Sequence, residues 1–104
     1  MTVSLAKKYL KTKPECKVTF ELPMEAVKDA QRVCLVGEFN DWDTESLPMK
    51  RKRDGSFSLT MNLPKDSEHE FRYLIDNSKW ENDWAADHYH HNHFAGTENS
   101  VVAV

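Results

Sequence analysis

Three tryptophans stand among polar residues, where a hydrophobic core would not place them. Trp42 ends the stretch "RVCLVGEFNDW" (32–42), flanked by Asp41 and Asp43; Trp80 closes "DNSKW"; Trp84 lies in "ENDWAAD". Each follows a turn or lies in a loop, and none belongs to an alternating strand. An indole left at a turn offers a flat apolar face, and it loses little conformational entropy when a ligand covers it. A sugar ring suits such a face, because its axial C–H bonds are apolar while its rim carries hydroxyls. Holding that rim takes short polar or cationic side chains nearby. Asn40, Arg72, Asn77, Thr97 and Asn99 are such residues on neighbouring turns. The competing reading makes each tryptophan a lid on the edge of the core, since large aromatics are often mostly covered.

Other clusters carry weaker chemistry. "DHYHHNHF" (87–94) holds His88, His90, His91 and His93. A metal needs several imidazoles on one side. In an extended segment His88 and His90 share one face, and His91 and His93 the other. No cysteine completes a set, so the expectation is a solvated loop, with no metal and no other cofactor. "KRKR" (50–53) could bind phosphate, but it adjoins a turn, where charged residues commonly serve solvation. Asp41, Asp43, Asp76, Asp83 and Asp87 supply acids, yet no Ser–His or Cys–His pattern accompanies them.

These side chains must be positioned by strands. "KVTFELP" (17–23) alternates, with Val18, Phe20 and Leu22 on one face. "VCLV" (33–36) is β-favouring and ends at Gly37. "LPMKRKRDGS" (47–56) reads as a short strand running into a turn, and Asp54-Gly55 is a hairpin signal. "SFSLTMNLP" (56–64) alternates with Phe57, Leu59, Met61 and Leu63 inward. "HEFRYLID" (69–76) alternates with Phe71, Tyr73 and Ile75 on one face, and "NSVVAV" closes the chain as a strand. At the start, "SLAKKYLK" (4–11) gathers Leu5, Ala6, Tyr9 and Leu10 on one helical face, predicting a short helix or arm that ends at Pro14. The expected architecture is all-β: an antiparallel sandwich of about seven strands over 16–104, preceded by an arm over 1–15.

The totals agree with one small globular domain. The chain has 104 residues, 39% hydrophobic and 30% charged. With Lys plus Arg at 14, Asp plus Glu at 17 and a formal net charge of −3, nucleic acid is a poor partner. No apolar run approaches membrane-spanning length, and the N-terminal stretch lacks the pattern of a secretory signal. A cytoplasmic setting is therefore expected, in which Cys16 and Cys34 stay free thiols and Cys34 behaves as a small buried hydrophobe.

Taken in order, "VCLVGEFNDWD…PM", "DGSFSLTMNLP", "HEFRYLIDNSKW" and "GTENSVVAV" resemble carbohydrate-binding module family 48. This is the early-set immunoglobulin-like domain of isoamylases, glycogen-branching enzymes and the β-subunits of AMP-activated protein kinase. The resemblance covers residues 30–104. It implies an immunoglobulin-like sandwich that binds α-1,4-glucan such as glycogen, starch or maltooligosaccharides. Residue by residue, it assigns the stacking platforms to Trp42 after "FN" and to Trp80 after the turn. The basic contact falls to Arg72, and the hydroxyl contacts to Thr97 and Asn99 in "GTEN". Tyr89, Asn92 and Phe94 would line the rim, with Asn40 and Asn77. The kinase form carries a leucine just before "G-T-x-N", where this chain has Ala95 beside Phe94.

The parent enzymes hydrolyse or transfer glucan on a separate (β/α)₈ barrel of about 250 residues. Such chemistry takes two carboxylates at a fixed separation across the bond. This chain is too short to add a barrel, so the expectation is a free-standing, non-catalytic glucan binder. The alternative is a regulatory domain docking in trans on a glycogen-metabolising enzyme.

Overall fold

The computed structural model describes residues 5–92 and 96–104. Among these residues nine strands form two antiparallel sheets in an immunoglobulin-like sandwich. The strands are β1 (Ala6–Tyr9), β2 (Glu15–Leu22), β3 (Val33–Gly37), β4 (Lys50–Arg51), β5 (Phe57–Pro64), β6 (Glu68–Ile75), β7 (Lys79–Glu81), β8 (His88–Asn92) and β9 (Thr97–Ala103). One sheet runs β1-β2-β5-β4; the other runs β3-β6-β9-β8, with β7 added to β6. Two single 3₁₀ turns, Met24–Ala26 and Glu38–Asn40, are the helical segments among the described residues.

The core follows the period-2 pattern of the sequence. Val18, Phe20 and Leu22 of β2 face Leu35, Phe71 and Tyr73 across the sandwich, all fully buried. The rings of Phe20, Phe71 and Tyr73 meet edge-to-face, with centroids 5.0 and 5.6 Å apart. Leu59 and Met61 on β5 are only partly covered, because they lie toward the short β4 edge. At Asp54-Gly55 the chain makes the expected turn, with Gly55 at φ 90° and the Lys52 N–H donating to the Ser56 carbonyl at 2.7 Å.

Two expectations are corrected. Of the two forms expected for the N-terminal segment, short helix or arm, the helix does not form over the described residues: Ala6–Tyr9 is strand β1, paired with β2 from Ala6↔Thr19 to Tyr9↔Cys16. An isolated helix of two turns is marginal in water, whereas a strand on the edge of β2 satisfies its backbone against an existing ladder. Lys7 also reaches Asp87 at 2.7 Å. Secondly, the described residues hold nine strands where about seven were expected, since β7 forms around Trp80 itself and β8 in the polar stretch after it. They pair with β6 and β9, which are already fixed by the core.

Strand β3 is buried along its whole length. Val33 and Leu35 face the core, while Cys34 and Val36 join Leu74 in a second apolar cluster on the outer side of their sheet. An unbroken apolar run such as "VCLV" signals burial on both faces. Cys16 and Cys34 are buried free thiols.

Candidate functional site

The strip of sheet above that second cluster carries the candidate site. Phe71, Tyr73 and Ile75 point into the core, so Glu70, Arg72 and Leu74 alternate onto the outer face. The register continues that face across the sheet. Arg72 pairs with Val36, Leu74 with Trp80 and Glu70 with Val101, while Asn99 pairs with His90 and Thr97 with Asn92.

Trp42 reaches this face from the loop after β3. Gly37 lets β3 approach β6 closely: a Cβ there would lie 2.6 Å from the Glu70 carbonyl oxygen and 2.8 Å from Phe71 Cβ. The chain then turns through Glu38–Asn40 into two left-handed residues, Asp41 at φ 55° and Trp42 at φ 58°. A bulky side chain in that region is strained and needs surrounding bonds to hold it. Here the Trp42 N–H donates to the Gly37 carbonyl at 2.8 Å. Asn40 braces the loop from within. Its Oδ1 accepts the Gly37 N–H at 3.0 Å, and its Nδ2 donates to the Asp43 carbonyl at 3.1 Å and to Ser46 Oγ at 3.0 Å. The polar company of Trp42 is therefore the scaffold that aims it.

A groove of about 330 Å³ results, lined by Trp42, Thr44, Arg72, Trp80 and Asn92. Trp42 and Trp80 are 38% and 41% exposed, so neither is a core lid. The Arg72 guanidinium carbon lies 5.2 Å from the Trp80 ring centroid. Its Nε is buried and has no hydrogen-bond partner among the described residues. Burial pulls the Arg72 pKa below its ordinary value. Two indoles, a cation, a hydroxyl and an amide around one shallow apolar groove suit a hydroxylated ring. A larger hollow beside β4, lined by Met49, Lys50, Ser58 and Leu59 among others, has no aromatic wall.

The structure thus brings Trp42, Arg72, Trp80 and Asn92 together, and adds Thr44. Thr44 carried no signal beyond lying two residues past Trp42. Thr97 and Asn99 share the face without lining the groove. Asn99 is buried, with Nδ2 donating to Glu70 Oε1 at 3.0 Å and Oδ1 accepting from Asn92 Nδ2 at 3.4 Å. Asn40 serves its loop, and Asn77, at φ 57°, makes the turn before β7. Tyr89 lies on the opposite face of β8 from His90 and Asn92. Its hydroxyl donates to the Asp83 carbonyl at 2.6 Å, fastening the loop that carries Trp84. Phe94, Ala95 and His93 fall outside the described residues.

Among the described residues no carboxylate lines the groove. Asp43, Asp76, Asp83 and Asp87 instead accept the backbone N–H groups of Glu45, Gln31, Ala85 and Ala103, at 2.8 to 2.9 Å. Among the described residues no three His, Cys, Asp or Glu side chains group as a metal site. The basic run is also engaged, with Arg51 on the Ala30 carbonyl and over the Phe57 ring, and Lys52 on Glu21 at 2.7 Å.

Comparison with known proteins points to the same chemistry. A family model described as "Glycogen recognition site of AMP-activated protein kinase" matches residues 18–104. A 1,4-alpha-glucan branching enzyme GlgB of Lactobacillus acidophilus is 48% identical over 47 residues, covering 45% of this chain and 7% of the enzyme. The 1,4-alpha-glucan-branching enzyme of Saccharomyces cerevisiae is 35% identical over 81 residues, covering 67% of this chain and 11% of the enzyme. A GlgB of Aquifex aeolicus is 38% identical over 55 residues, covering 52% of this chain and 9% of the enzyme. The chain therefore spans only about a tenth of the length of these relatives.

Proposed function

This chain belongs to the family of the glycogen recognition site of AMP-activated protein kinase, and from that premise we propose that it binds α-1,4-glucan without catalysing its cleavage or transfer. The observation that carries the reading is the groove itself, where Trp42 and Trp80 stand with Arg72, Thr44 and Asn92 around one shallow apolar floor. The indoles stack on sugar faces. Arg72 and the two polar side chains bond hydroxyls. Asn99 acts from behind Asn92.

A shallow site with few anchors gives a modest affinity, micromolar to millimolar, or roughly −4 to −8 kcal/mol. The test is a pull-down on insoluble glycogen and amylose with cellulose as control, followed by calorimetric titration with maltoheptaose. Retention on the α-glucans alone supports the reading. No retention and no heat at high millimolar maltoheptaose would defeat it, and release of reducing sugar would overturn the non-catalytic part.

A second reading, docking on a glycogen-metabolising enzyme, is favoured by one observation. Tyr9 is half exposed on β1, at the edge of the sheet that does not carry the groove. A partner could be engaged there while glucan occupies the other sheet. Cross-linking to a branching enzyme, with and without Tyr9→Ser, distinguishes it.

A further inference from the structure

We infer that Glu70 is a positioning residue that fixes the polarity of the amide pair leading to one wall of the groove, and so fixes which hydrogen bonds that wall offers a sugar hydroxyl. The inference deepens the glucan-binding reading and rests on it for its ligand.

An asparagine amide has two nearly isosteric orientations, and only its neighbours decide between them. An ionised carboxylate accepts and never donates. Glu70 Oε1 lies 3.0 Å from Asn99 Nδ2, so the NH₂ of Asn99 must face it. The carbonyl of Asn99 is thereby turned to Asn92 and takes a hydrogen bond from its Nδ2 at 3.4 Å. Asn92 lines the groove. The orientation imposed at residue 70 is thus relayed through a buried amide to a groove side chain. Asn99 is only 4% exposed, so water cannot readily compensate an inverted amide there.

Glu70 is itself held on three sides. Its N–H donates to Glu38 Oε1 at 2.7 Å, and Glu38 opens the turn that leads into Asp41 and Trp42. Its second oxygen lies 3.4 Å from His90 Nδ1, on the strand that carries Asn92. The side chain therefore joins β9 and β8, while the backbone N–H of the same residue ties it to the Trp42 loop. A neutral residue incapable of accepting would leave Asn99 free to present either end to Asn92.

The test compares wild type, Glu70→Ala and Glu70→Gln in two measurements: calorimetric titration with maltoheptaose, and the side-chain amide NMR signals of Asn99 and Asn92 in the ligand-free protein. Loss of a charge-assisted anchor predicts that Glu70→Ala weakens binding about fivefold or more, and that Glu70→Gln, which keeps an acceptor but adds a donor and loses the charge, recovers only part of it. In the free protein, Glu70→Ala should collapse the separation of the two Asn99 amide proton signals and perturb those of Asn92, while Glu70→Gln, able to accept or donate, gives an intermediate effect. Unchanged Asn99 and Asn92 signals in Glu70→Ala overturn the inference, as does unchanged affinity. If wild type binds no maltoheptaose, the glucan reading fails, and the amide signals alone still decide the role of Glu70.

Discussion

The guanidinium of Arg72 lies over the indole of Trp80, its central carbon 5.2 Å from the ring centroid. The two residues come from adjacent strands, and Arg72 lies two positions before Leu74, the register partner of Trp80. Each side chain restrains the other, so the groove is preorganised on that side. Arg72→Ala should weaken maltoheptaose binding by about fivefold or more and shift the tryptophan fluorescence of the free protein. Arg72→Lys should restore binding only in part, because an ammonium keeps the charge and loses the planar stack.

Trp42→Ala separates a platform from a lid. Trp42 is 38% exposed and lines the groove, so its loss should cost at least tenfold in affinity, about 1.4 kcal/mol. Urea denaturation of the same variant should show far less than the roughly 3–5 kcal/mol lost on emptying an aromatic core site. A loss of that size, with binding retained, would return Trp42 to the core.

Gly37→Ala should be damaging although Gly37 lies in extended backbone. The added Cβ would meet the Glu70 carbonyl oxygen at 2.6 Å and Phe71 Cβ at 2.8 Å, neither of which is the far end of a flexible side chain. Overpacking of this kind costs roughly 1–3 kcal/mol. Because the Trp42 N–H bonds the Gly37 carbonyl, maltoheptaose affinity should fall with stability, both read on one purified variant.

Tyr73 and Asp83 form a buried pair, the phenol donating to Asp83 Oδ2 at 2.6 Å. Burial pushes the Tyr73 phenol well up and raises the Asp83 carboxyl, while the bonds from Tyr73 and the Ala85 N–H draw the carboxyl back down. A carboxyl raised in the folded state contributes stability that is full below its unfolded value and is lost as pH rises through the folded value. Stability should therefore contain a limb that falls with rising pH just above the ordinary carboxylate range. Asp83→Asn should remove that limb. Tyr73→Phe should move it to higher pH and cost about 1–3 kcal/mol at neutral pH, by leaving a buried acceptor without its donor. Urea titrations across pH check both.

Much of the scaffold was legible because one-sided burial writes itself as alternation. Val18, Phe20 and Leu22 announced β2, and Phe71, Tyr73 and Ile75 announced β6, since a strand with one dry face can tolerate no other pattern. The Asp54-Gly55 turn was equally local, set by one residue at positive φ. β1, β7 and β8 were not legible. Their sequences are polar or mixed, and they become strands only because β2, β6 and β9 present unpaired edges to them.

The candidate site divides the same way. By itself the sequence determined that Trp42 stands at a polar turn and that Arg72 alternates away from the core face of its strand, whereas Trp80, expected just after a turn, lies within β7. The first two are consequences of local spacing. Only the tertiary structure decided which polar residues join them. Asn40 and Asn77 looked equivalent to Asn92 in the chain, yet Asn40 bonds its own loop, Asn77 makes a turn, and Asn92 lines the groove. Glu70 and Thr44 gave no local sign at all. Their roles arise from strand register and from a loop held in left-handed backbone, which place side chains distant in sequence within hydrogen-bond range, and no periodicity along one segment records that distance.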